Sequence, residues 1–356
     1  MLNNRVSSAR KYLERFGVEA IIFLGLPNIR YLAGFTGSDG ALILGKDKEW
    51  FLTDSRYTTQ ASLEVAEKGV IEYRIKAEGI AALLTSESVK KAGFEAEQTS
   101  VAFLKALTEA MPDVELIPIG AELDDQRIHK DPEELRHLAG SADIASQALL
   151  GILDLIRPGI PEREVALALE FAMKRAGAQE KSFDFIVASG PRGALPHGKA
   201  SDKVIQAGEL VTLDFGAVYC GYHSDETVTI AVGTPDSRQI EIYSIVKDAH
   251  DKALDAVKPG ISLKDLDGIA RQFIKEKGYG DYFGHGLGHG VGLEVHEKPT
   301  VSFRGEQVAG EGMVFTIEPG IYIPDWGGVR IEDTVVVTRD GCRLLTKVPK
   351  ELMILD

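Results

Sequence analysis

The chain is poor in cysteine, lacks long apolar runs and has no excess of basic residues. Its two cysteines, Cys220 and Cys342, are too few for a disulfide framework and fit a reducing compartment. No stretch approaches the roughly 18 to 20 consecutive apolar residues needed to cross a bilayer, and the first residues lack the apolar core of a secretory signal. A formal net charge of −14 argues against general nucleic-acid binding and against docking on anionic lipid. We therefore expect a cytoplasmic protein whose partners include neither nucleic acid nor a membrane.

The composition, 44% hydrophobic and 26% charged, is that of an ordinary globular protein, and 356 residues suffice for two domains. Apolar runs and helical spacing alternate in the first third and predict an α/β domain. The predicted strands are 20–26, 41–45, 50–54 and 114–120, and the predicted helices are 2–16, 57–68, 79–91 and 99–110. The polar segment 121–134 separates this part from the rest, so we predict domains at 1–125 and 126–356. Asp131 and Pro132 predict the start of a helix that runs to about Ile156.

The second part of the chain contains two similar segments. RPGIPEREVALALEFAMKRAGA (157–178) combines a Pro-Gly stop with a helical pattern, and KPGISLKDLDGIARQFIKEKGYG (258–280) repeats that plan about 100 residues later. Each is followed by a segment with glycine and histidine and then by strands that carry acidic residues. These features predict an internal duplication with a site between the halves. Chance similarity of two Pro-Gly helix starts is the alternative.

Two aspartates lie on predicted neighbouring strands. Apolar and polar residues alternate in 210–216 and in 223–232, which puts Asp214 and Asp225 on the polar faces. With the turn centred at 219–220, these two aspartates would be directly opposed, with Cβ atoms about 4.5–5.5 Å apart. Ionised carboxylates at that distance repel unless they share a proton or a divalent cation. The alternative is a different register with both side chains in water.

A second acidic pair lies in another predicted hairpin, formed by 314–323 and 328–337 around a PDWGG turn. Glu318 and Glu332 are embedded in strongly β-forming sequence, and Arg330 precedes Glu332 on the same face. Acids in such strands are costly to bury without compensation. Two hairpins that each present two carboxylates therefore favour a functional site over surface decoration.

The segment 284–297, GHGLGHGVGLEVHE, adds three histidines. His285 and His289 have the spacing of a helical metal pair, but the interleaved glycines disfavour a helix and predict an extended, closely packed backbone. A lone histidine is more often a core or surface residue than a ligand; three of them beside four acids favour a metal site, without indicating which histidine binds. Oxygen ligands with imidazole suit manganese, cobalt or zinc. Two divalent ions would balance four carboxylates.

In their order along the chain, LDFG, SDET, GHGLGHGVGLEVHE, TIEPG and GVRIED closely resemble the proline-specific peptidases, which comprise prolidase (Xaa-Pro dipeptidase) and aminopeptidase P. SFDFIVASG (182–190) and LPHGKASD (195–202) match as well. NIRYLAGFTGSDG (28–40) and FLTDSRYTTQA (51–61) resemble the N-terminal domain of the same enzymes. The resemblance implies a smaller α/β domain followed by a pita-bread catalytic domain, in which two α/β halves surround a dinuclear metal site.

Residue by residue, the resemblance implies five metal ligands: Asp214, Asp225, His289, Glu318 and Glu332. It also implies that Asp225 and Glu332 bridge the two ions. His197 and His296 correspond to histidines that bind substrate or handle protons, and Arg330 to an arginine beside the site that we count with the substrate-binding residues. His285 has no ligand role by this match. We expect two divalent ions per subunit, manganese or cobalt with zinc as an alternative. A homodimer is implied by the resemblance alone.

The implied reaction is hydrolysis of the bond before proline in dipeptides or short peptides. We expect the two ions to lower the pKa of a bridging water, so that hydroxide attacks the carbonyl before proline. His197 and His296 would help to stabilise the oxyanion. Glu318 would accept the water proton and pass it to the proline nitrogen. Dipeptidase and aminopeptidase P specificity are not distinguished by these residues.

One departure from the family pattern concerns Glu226 and Val228, because members commonly read SDxTRT where this chain has SDETVT. Both side chains are predicted to point away from Asp225, so we expect an intact metal site and a changed contact at the surface or an interface.

Three other functional hypotheses compete with a proline-specific peptidase. A methionine aminopeptidase usually lacks so large an N-terminal domain, a metal-free creatinase-like C–N hydrolase lacks the five ligands, and a silent binding protein would not need them.

Overall fold

The computed structural model describes residues 2–65 and 69–356. The chain divides into two compact units, the first ending at Arg127 and the second beginning at Ile128. Helices and strands alternate in both units, so the fold is mixed α/β, as the sequence predicted. Among the described residues, no helix combines the length and the apolar character that a membrane span requires.

The first unit is built on a six-stranded sheet with the order β4-β3-β2-β1-β5-β6. Its strands are β1 (Ala20–Phe23), β2 (Ala41–Gly45), β3 (Glu49–Thr53), β4 (Val70–Glu72), β5 (Lys91–Glu95) and β6 (Glu115–Ile119). Its helices are α1 (Leu2–Ala9), α2 (Lys11–Phe16), α3 (Leu26–Ala33), α4 (Thr58–Glu64), α5 (Lys76–Ser86) and α6 (Val101–Ala110).

The four predicted strands of this unit are present, but the first ends at Phe23 because α3 begins at Leu26. The predicted helix 79–91 was placed too late: α5 begins at Lys76, and residue 91 already belongs to β5. The strands β4 and β5 and the helix α3 were not predicted. The predicted helix 57–68 corresponds to α4, and its last three residues, 66–68, lie outside the described residues.

The second unit contains four α-helices and fourteen strands among the residues that the structure describes. The helices are α7 (Pro132–Leu150), α8 (Glu162–Arg175), α9 (Ser237–Ala256) and α10 (Leu263–Glu276). The strands before α9 are β7 (Glu180–Lys181), β8 (Ile186–Ser189), β9 (Glu209–Phe215), β10 (Ala217–Tyr219), β11 (Tyr222–His223) and β12 (Glu226–Val232). The strands after α10 are β13 (Gly288–Gly290), β14 (Glu297–Val301), β15 (Val314–Ile317), β16 (Gly320–Ile323), β17 (Gly327–Arg330), β18 (Asp333–Val337), β19 (Cys342–Leu344) and β20 (Ile354–Leu355).

Two of its sheets carry the strands that matter for the site. One has the order β20-β12-β9-β8, and the other has the order β14-β13-β15-β18-β19. The helices α8 and α10 are each 14 residues long and each follow a Pro-Gly pair, in which Gly159 has a φ of 93° and Gly260 a φ of 91°. A positive φ is available to glycine at little cost. The predicted repetition of this plan is therefore confirmed in the backbone.

The start of α7 is the one predicted. The Asp131 side chain accepts hydrogen bonds from the backbone N–H groups of Glu133 and Glu134 at 2.9 and 3.0 Å, and the Glu134 side chain accepts from the Asp131 N–H. This reciprocal capping box satisfies donors that a helix N-terminus otherwise leaves free. The helix ends at Leu150 rather than near Ile156, because Gly151 follows and glycine is a poor helix former.

The alternation predicted for β9 and β12 is confirmed. Their apolar side chains, Val211, Leu213 and Phe215 with Val228, Ile230 and Val232, are buried in one hydrophobic core. Helix α8 packs on the same core through side chains that include Leu169. The other face of the strand pair, which carries Thr212 and Asp214, is left for the site.

Candidate metal centre

The first acidic hairpin has a register different from the one predicted. In the pairing of β9 with β12, Asp214 lies opposite Thr227 and not opposite Asp225. The reason is the turn, which is formed by Cys220 and Gly221 with φ values of 49° and 76°. Positive φ at both central residues is typical of the two-residue turns that match strand twist. The register moves by two residues, which keeps Asp225 on the predicted side because side chains alternate with period two.

The second acidic hairpin is confirmed. Ile317 of β15 pairs with Asp333 of β18, and Gly320 of β16 pairs with Arg330 of β17. The register is the same on both sides of the interruption between these pairs. Glu318 and Glu332 occupy the interruption, one on each side of the hairpin. Both carboxylates therefore lie where the pairing of the two strands is interrupted.

The glycine-histidine segment is extended and closely packed, as predicted. Gly288 begins strand β13, and a Cβ atom there would lie 2.0 Å from the backbone oxygen of Thr316. A Cβ on Gly290 would lie 2.2 Å from the backbone oxygen of Lys298. Real Cβ atoms do not approach backbone oxygen so closely, so only glycine lets β13 lie between its neighbours. This packing fixes the backbone of His289, which lies between the two glycines.

An ion pair on α10 holds the beginning of this segment. Asp267 accepts a hydrogen bond from the backbone N–H of Leu287 at 3.0 Å and is paired with Arg271 at 2.7 Å. Arg271 also donates to the backbone oxygens of Phe283 and His285 at 2.9 and 2.6 Å. This pair of a half-buried arginine and a buried aspartate therefore orders the chain that leads into β13.

We expect Gly288→Ala to lower the thermal unfolding midpoint, because the added methyl group would collide with β15 and the strands must separate. Overpacking of this kind costs about 1–3 kcal/mol. Gly284→Ala is the control from the same segment, since a Cβ there meets nothing within 4 Å. Thermal unfolding followed by circular dichroism compares the two variants. Equal midpoints would contradict the close approach.

The predicted ligands come together around the His289 ring. Asp225, His289 and Glu332 each offer one ligand atom, and these atoms lie within 4.8 Å of one another. The Nε2 atom of His289 is 3.5 Å from Asp225 Oδ2 and 3.4 Å from Glu318 Oε1. Thr227 donates to Glu332 Oε2 at 2.6 Å and orients that carboxylate. One imidazole and the carboxylates of Asp225 and Glu332 are thus within reach of a common cation, and Glu318 lies beside the same imidazole.

The remaining predicted ligand, Asp214, is hydrogen-bonded to Arg330. The Nη2 atom of Arg330 donates to Asp214 Oδ2 at 2.6 Å, while its Nη1 atom donates to the Tyr322 hydroxyl at 2.9 Å and to the Pro196 oxygen at 3.2 Å. Its Nε atom donates to Thr227 Oγ1 at 3.2 Å. One arginine therefore fixes Asp214 while leaving its other carboxylate oxygen available.

Two buried carboxylate oxygens, Asp214 Oδ1 and Glu332 Oε1, have no hydrogen-bond partner among the described residues. Buried polar atoms in folded proteins are nearly always paired, and an unpaired one calls for an explanation such as an ion. Both atoms are anionic oxygens beside an imidazole, a donor set that suits manganese, cobalt or zinc. The residues present therefore fit a divalent metal site.

The electrostatics of the cluster lead to the same conclusion. Burial raises the pKa of Asp225 well above its ordinary value, and the nearby carboxylates of Glu332, Asp214 and Glu318 raise it further. The pKa of Glu332 is raised in the same way, first by burial and then by Glu318 and Asp214. Burial also raises the pKa of Glu318, against the opposing effects of His285 and Arg330. Full ionisation of the cluster therefore requires a cation.

We expect the metal-depleted protein to lose stability as the pH rises above about 4, where these carboxyl groups ionise in the unfolded chain. Because their pKa values are raised on folding, the folded state retains protons that the unfolded state has lost, and the unfolding free energy falls with pH. Divalent cations replace those protons. The increase in thermal midpoint caused by added Mn²⁺ should therefore be larger at about pH 8 than at about pH 5. Equal increases would contradict the origin of these shifts.

The cluster lines a cavity of about 800 Å³ in the second unit. Every residue predicted for the site lines this one cavity: His197, Asp214, Asp225, His289, His296, Glu318, Arg330 and Glu332. The ring of His296 lies 4.2 Å from that of His289, centroid to centroid. Burial and the neighbouring His289 lower the pKa of His296 to about 4, so its imidazole is neutral at neutral pH. It can donate or accept one hydrogen bond inside the cavity.

Sequence reasoning missed Tyr322 and gave His285 no role. The Tyr322 hydroxyl lies 2.9 Å from His285 Nε2 and accepts the hydrogen bond from Arg330. The hairpin pattern could have indicated it, because residues 318, 320 and 322 share a strand face. Burial raises the pKa of Tyr322 to about 12, so the hydroxyl keeps its proton.

The expectation for Glu226 and Val228 was wrong in one respect. Neither residue is at a surface, since Glu226 is fully buried and Val228 belongs to the core beneath β9 and β12. Glu226 accepts hydrogen bonds from Lys350 and Ser146, both at 2.6 Å. The strand pattern indicated that both side chains leave the Asp225 face, but a distant part of the chain covers them.

Comparisons with known proteins identify the family of both parts of the chain. Residues 136–339 match metallopeptidase family M24, and residues 5–129 match the creatinase/prolidase N-terminal domain. The Xaa-Pro dipeptidase of Pyrococcus horikoshii is 42% identical over 99% of both chains. A solved structure of an Xaa-Pro dipeptidase from Bacillus anthracis, 43% identical, covers 100% of both chains with a TM-score of 0.97. The X-Pro aminopeptidase structure from Thermotoga maritima, 38% identical, covers 98% of this chain and 99% of its own, with a TM-score of 0.91.

The family match covers more than half of the chain, and relatives above 40% identity span nearly its whole length. The matched region contains all of the predicted site residues. The chain belongs to metallopeptidase family M24, and its N-terminal part belongs to the creatinase/prolidase N-terminal domains.

Proposed function

We propose that this protein is a metal-dependent exopeptidase that hydrolyses the bond between a first residue and proline in dipeptides and short peptides. The observation that carries the proposal is the cluster of buried, mutually repelling carboxylates around His289 in a cavity large enough for a short peptide. Relatives at about 40% identity that are named Xaa-Pro dipeptidases support the choice of bond. Methionine aminopeptidase and metal-free C–N hydrolase are the weaker candidates.

Five residues would hold two divalent ions, manganese or cobalt before zinc: Asp214, Asp225, His289, Glu318 and Glu332. Their four carboxylates match the charge of two such ions. When bound, the ions supply Lewis-acid polarisation of the scissile carbonyl and an activated water. Arg330 holds Asp214 in place through its 2.6 Å hydrogen bond.

Glu318 is the proposed proton carrier. Its Oε1 atom accepts a hydrogen bond from Thr316 at 3.1 Å, and its raised pKa lets the carboxylate take a proton and release it again. The proline nitrogen must be protonated to leave, and Glu318 would deliver that proton. His296, neutral at neutral pH, and His197 on the same cavity wall would donate hydrogen bonds to the developing oxyanion.

The experiment is hydrolysis of Ala-Pro before and after chelation and after reloading with Mn²⁺ or Co²⁺. We expect chelation to abolish hydrolysis and reloading to restore it, with Ala-Ala as the control substrate that is cut poorly. Undiminished hydrolysis by metal-free protein would reject the proposal. Equal rates on Ala-Pro and Ala-Ala would reject the choice of bond.

Substrate length is decided by a second assay that compares Xaa-Pro with Xaa-Pro-Pro-Xaa peptides. A dipeptidase needs a group that binds the proline carboxylate, and Arg330 is the candidate notwithstanding its engagement with Asp214. Cleavage confined to the dipeptide would support a dipeptidase. Cleavage of the longer peptide would support aminopeptidase P activity. We further propose that the protein is cytoplasmic and forms a homodimer. Light scattering of the purified protein tests the dimer.

A further inference from the structure

A buried polar cluster lies behind the strands that carry the proposed ligands, and the proposed reaction does not use it. Its central members are Glu226, Asp333 and Lys350, and we call it the lysine cluster. These residues are 0%, 2% and 7% exposed. Charged side chains are almost never buried so completely unless they are paired. The contacts among these three side chains must therefore account for their burial.

Lys350 joins the two acids of the lysine cluster. Its Nζ atom lies 2.6 Å from Glu226 Oε1 and 3.4 Å from Asp333 Oδ1. The acids are also fixed individually, since Ser146 donates to Glu226 at 2.6 Å and Thr346 donates to Asp333 at 2.5 Å. Each acid is thus held by a neighbouring hydroxyl, and Lys350 is the group that connects one acid to the other.

The two acids are sequence neighbours of two of the proposed metal ligands. Glu226 follows Asp225, and Asp333 follows Glu332. Consecutive side chains of an extended backbone point to opposite sides. The ligands therefore face the cavity while Glu226 and Asp333 face away from it, towards Lys350.

Direct bonds connect the same two stretches of backbone. The Thr334 hydroxyl donates to the Asp225 oxygen at 2.7 Å, and the Glu332 N–H donates to the Thr227 oxygen at 3.1 Å. Lys350 adds a tie on the side remote from the cavity. The separation of Asp225 and Glu332 is thus set by two hydrogen bonds at the backbone and by one cation behind it.

Charge explains why this tie is a lysine. Burial lowers the pKa of Lys350, but Glu226 and Asp333 outweigh that effect and raise it above the ordinary value, so the ammonium group stays protonated. Without the lysine, the Glu226 carboxylate would lose its cation and its connection to Asp333, which also contacts His250 Nε2 at 3.2 Å.

We propose that Lys350 is a positioning residue that fixes the spacing of Asp225 and Glu332 and thereby sets the affinity of the site for divalent metal. This inference rests on the proposed function, because it assumes that these two carboxylates bind metal. Lys350 itself touches neither substrate nor ligand. It acts through the lysine cluster on the backbone that presents the ligands.

The test is calorimetric titration of metal-depleted protein with MnCl₂, which reports affinity without reference to peptidase activity. Groups that orient metal ligands typically contribute about 10- to 100-fold to metal affinity. We expect Lys350→Met to weaken Mn²⁺ binding by at least about tenfold, with kcat lowered and KM for Ala-Pro little changed. Glu226→Gln removes the carboxylate at one end of the same connection and should weaken Mn²⁺ binding in the same direction; wild-type affinity in this variant would count against the inference.

A second variant separates positioning from charge balance. Lys350→Met leaves Glu226 without its cation and can fail to fold, so the double variant Glu226→Gln with Lys350→Met removes one charge of each sign. We expect it to fold and still to bind Mn²⁺ at least about tenfold more weakly. Wild-type affinity in this double variant would overturn the inference.

The control for general destabilisation is Leu169→Ala, which opens a cavity at a residue of α8 in the hydrophobic core of the same unit. It should lower the thermal midpoint and leave the Mn²⁺ affinity of the folded protein unchanged. A loss of affinity in this control equal to that of Lys350→Met would also overturn the inference. Failure of wild-type protein to bind Mn²⁺ would instead reject the proposed function, so the two failures are distinguishable.

Discussion

Asp225→Asn should abolish metal binding and lower peptidase activity by at least about 1,000-fold, while making the metal-depleted protein more stable. Asp225 is buried beside three other carboxylates, and that environment raises its pKa well above the ordinary value. The amide removes one charge from this repulsion and is nearly isosteric with the carboxylate. The same substitution therefore lowers activity and reduces the repulsion among the carboxylates of the metal-depleted protein.

The measurements are Mn²⁺ titration, Ala-Pro hydrolysis and thermal unfolding with and without Mn²⁺. Wild-type protein should gain stability on adding the ion by mass action, and Asp225→Asn should not. Asp340→Asn is the matched control, because the same substitution is made at an exposed position. Retention of activity in Asp225→Asn, or an unaltered response to Mn²⁺, would contradict the proposed metal centre.

Arg330→Met should destabilise the metal-depleted protein by about 3–5 kcal/mol, the usual cost of removing one partner of a buried ion pair. Arg330 is 3% exposed and donates hydrogen bonds to Asp214, Tyr322, Thr227 and the Pro196 oxygen. Methionine fills part of the space but leaves the Asp214 carboxylate without its cation. Hydrolysis of Ala-Pro should fall as well, because Asp214 loses the group that orients it.

Urea unfolding of metal-depleted protein measures this effect, and repetition with Mn²⁺ adds a second test. The ion supplies positive charge near Asp214, so it should recover part of the lost stability. Arg343→Met, at an exposed position of β19, is the control and should change the unfolding free energy by less than about 0.5 kcal/mol. Similar losses of unfolding free energy in both variants would contradict the stabilising role of the Asp214–Arg330 ion pair.

The acidic hairpins show what alternation can predict and what it cannot. Alternation of apolar and polar residues identified the faces of β9 and β12 and therefore the side on which Asp214 and Asp225 emerge. It did not identify the turn, because Cys220 is an unusual residue for a left-handed position. An error of two residues in register changes the partner of Asp214 and leaves its side of the sheet unchanged. The predicted aspartates therefore still line one cavity.

The missed elements of the first unit have a different cause. The helix α3 contains Pro27 and several buried apolar residues, and its first residue continues the apolar run of β1, so the run was read as one strand. The strand β5, KAGFE, carries two charged residues and a glycine. It is a strand because β1 and β6 pair with it on both sides, a tertiary influence that local propensity does not contain.

The environment of Glu226 shows the same limit within the site. Strand alternation correctly turned this residue away from Asp225, and a charged side chain leaving a cavity would ordinarily reach water. It is buried because Lys350, 124 positions away in sequence, lies over it. Local patterns report on which side a residue lies, and only the folded chain reports what covers that side.

The separation of the two acidic hairpins along the chain has a consequence for biosynthesis. Asp214 and Asp225 are translated about 100 residues before Glu318 and Glu332. At about 5–20 residues per second, the ribosome needs on the order of 5–20 s to supply the missing carboxylates. If these four residues bind metal as proposed, the nascent polypeptide carries an incomplete site throughout that interval, and metal would bind only after the second hairpin has emerged.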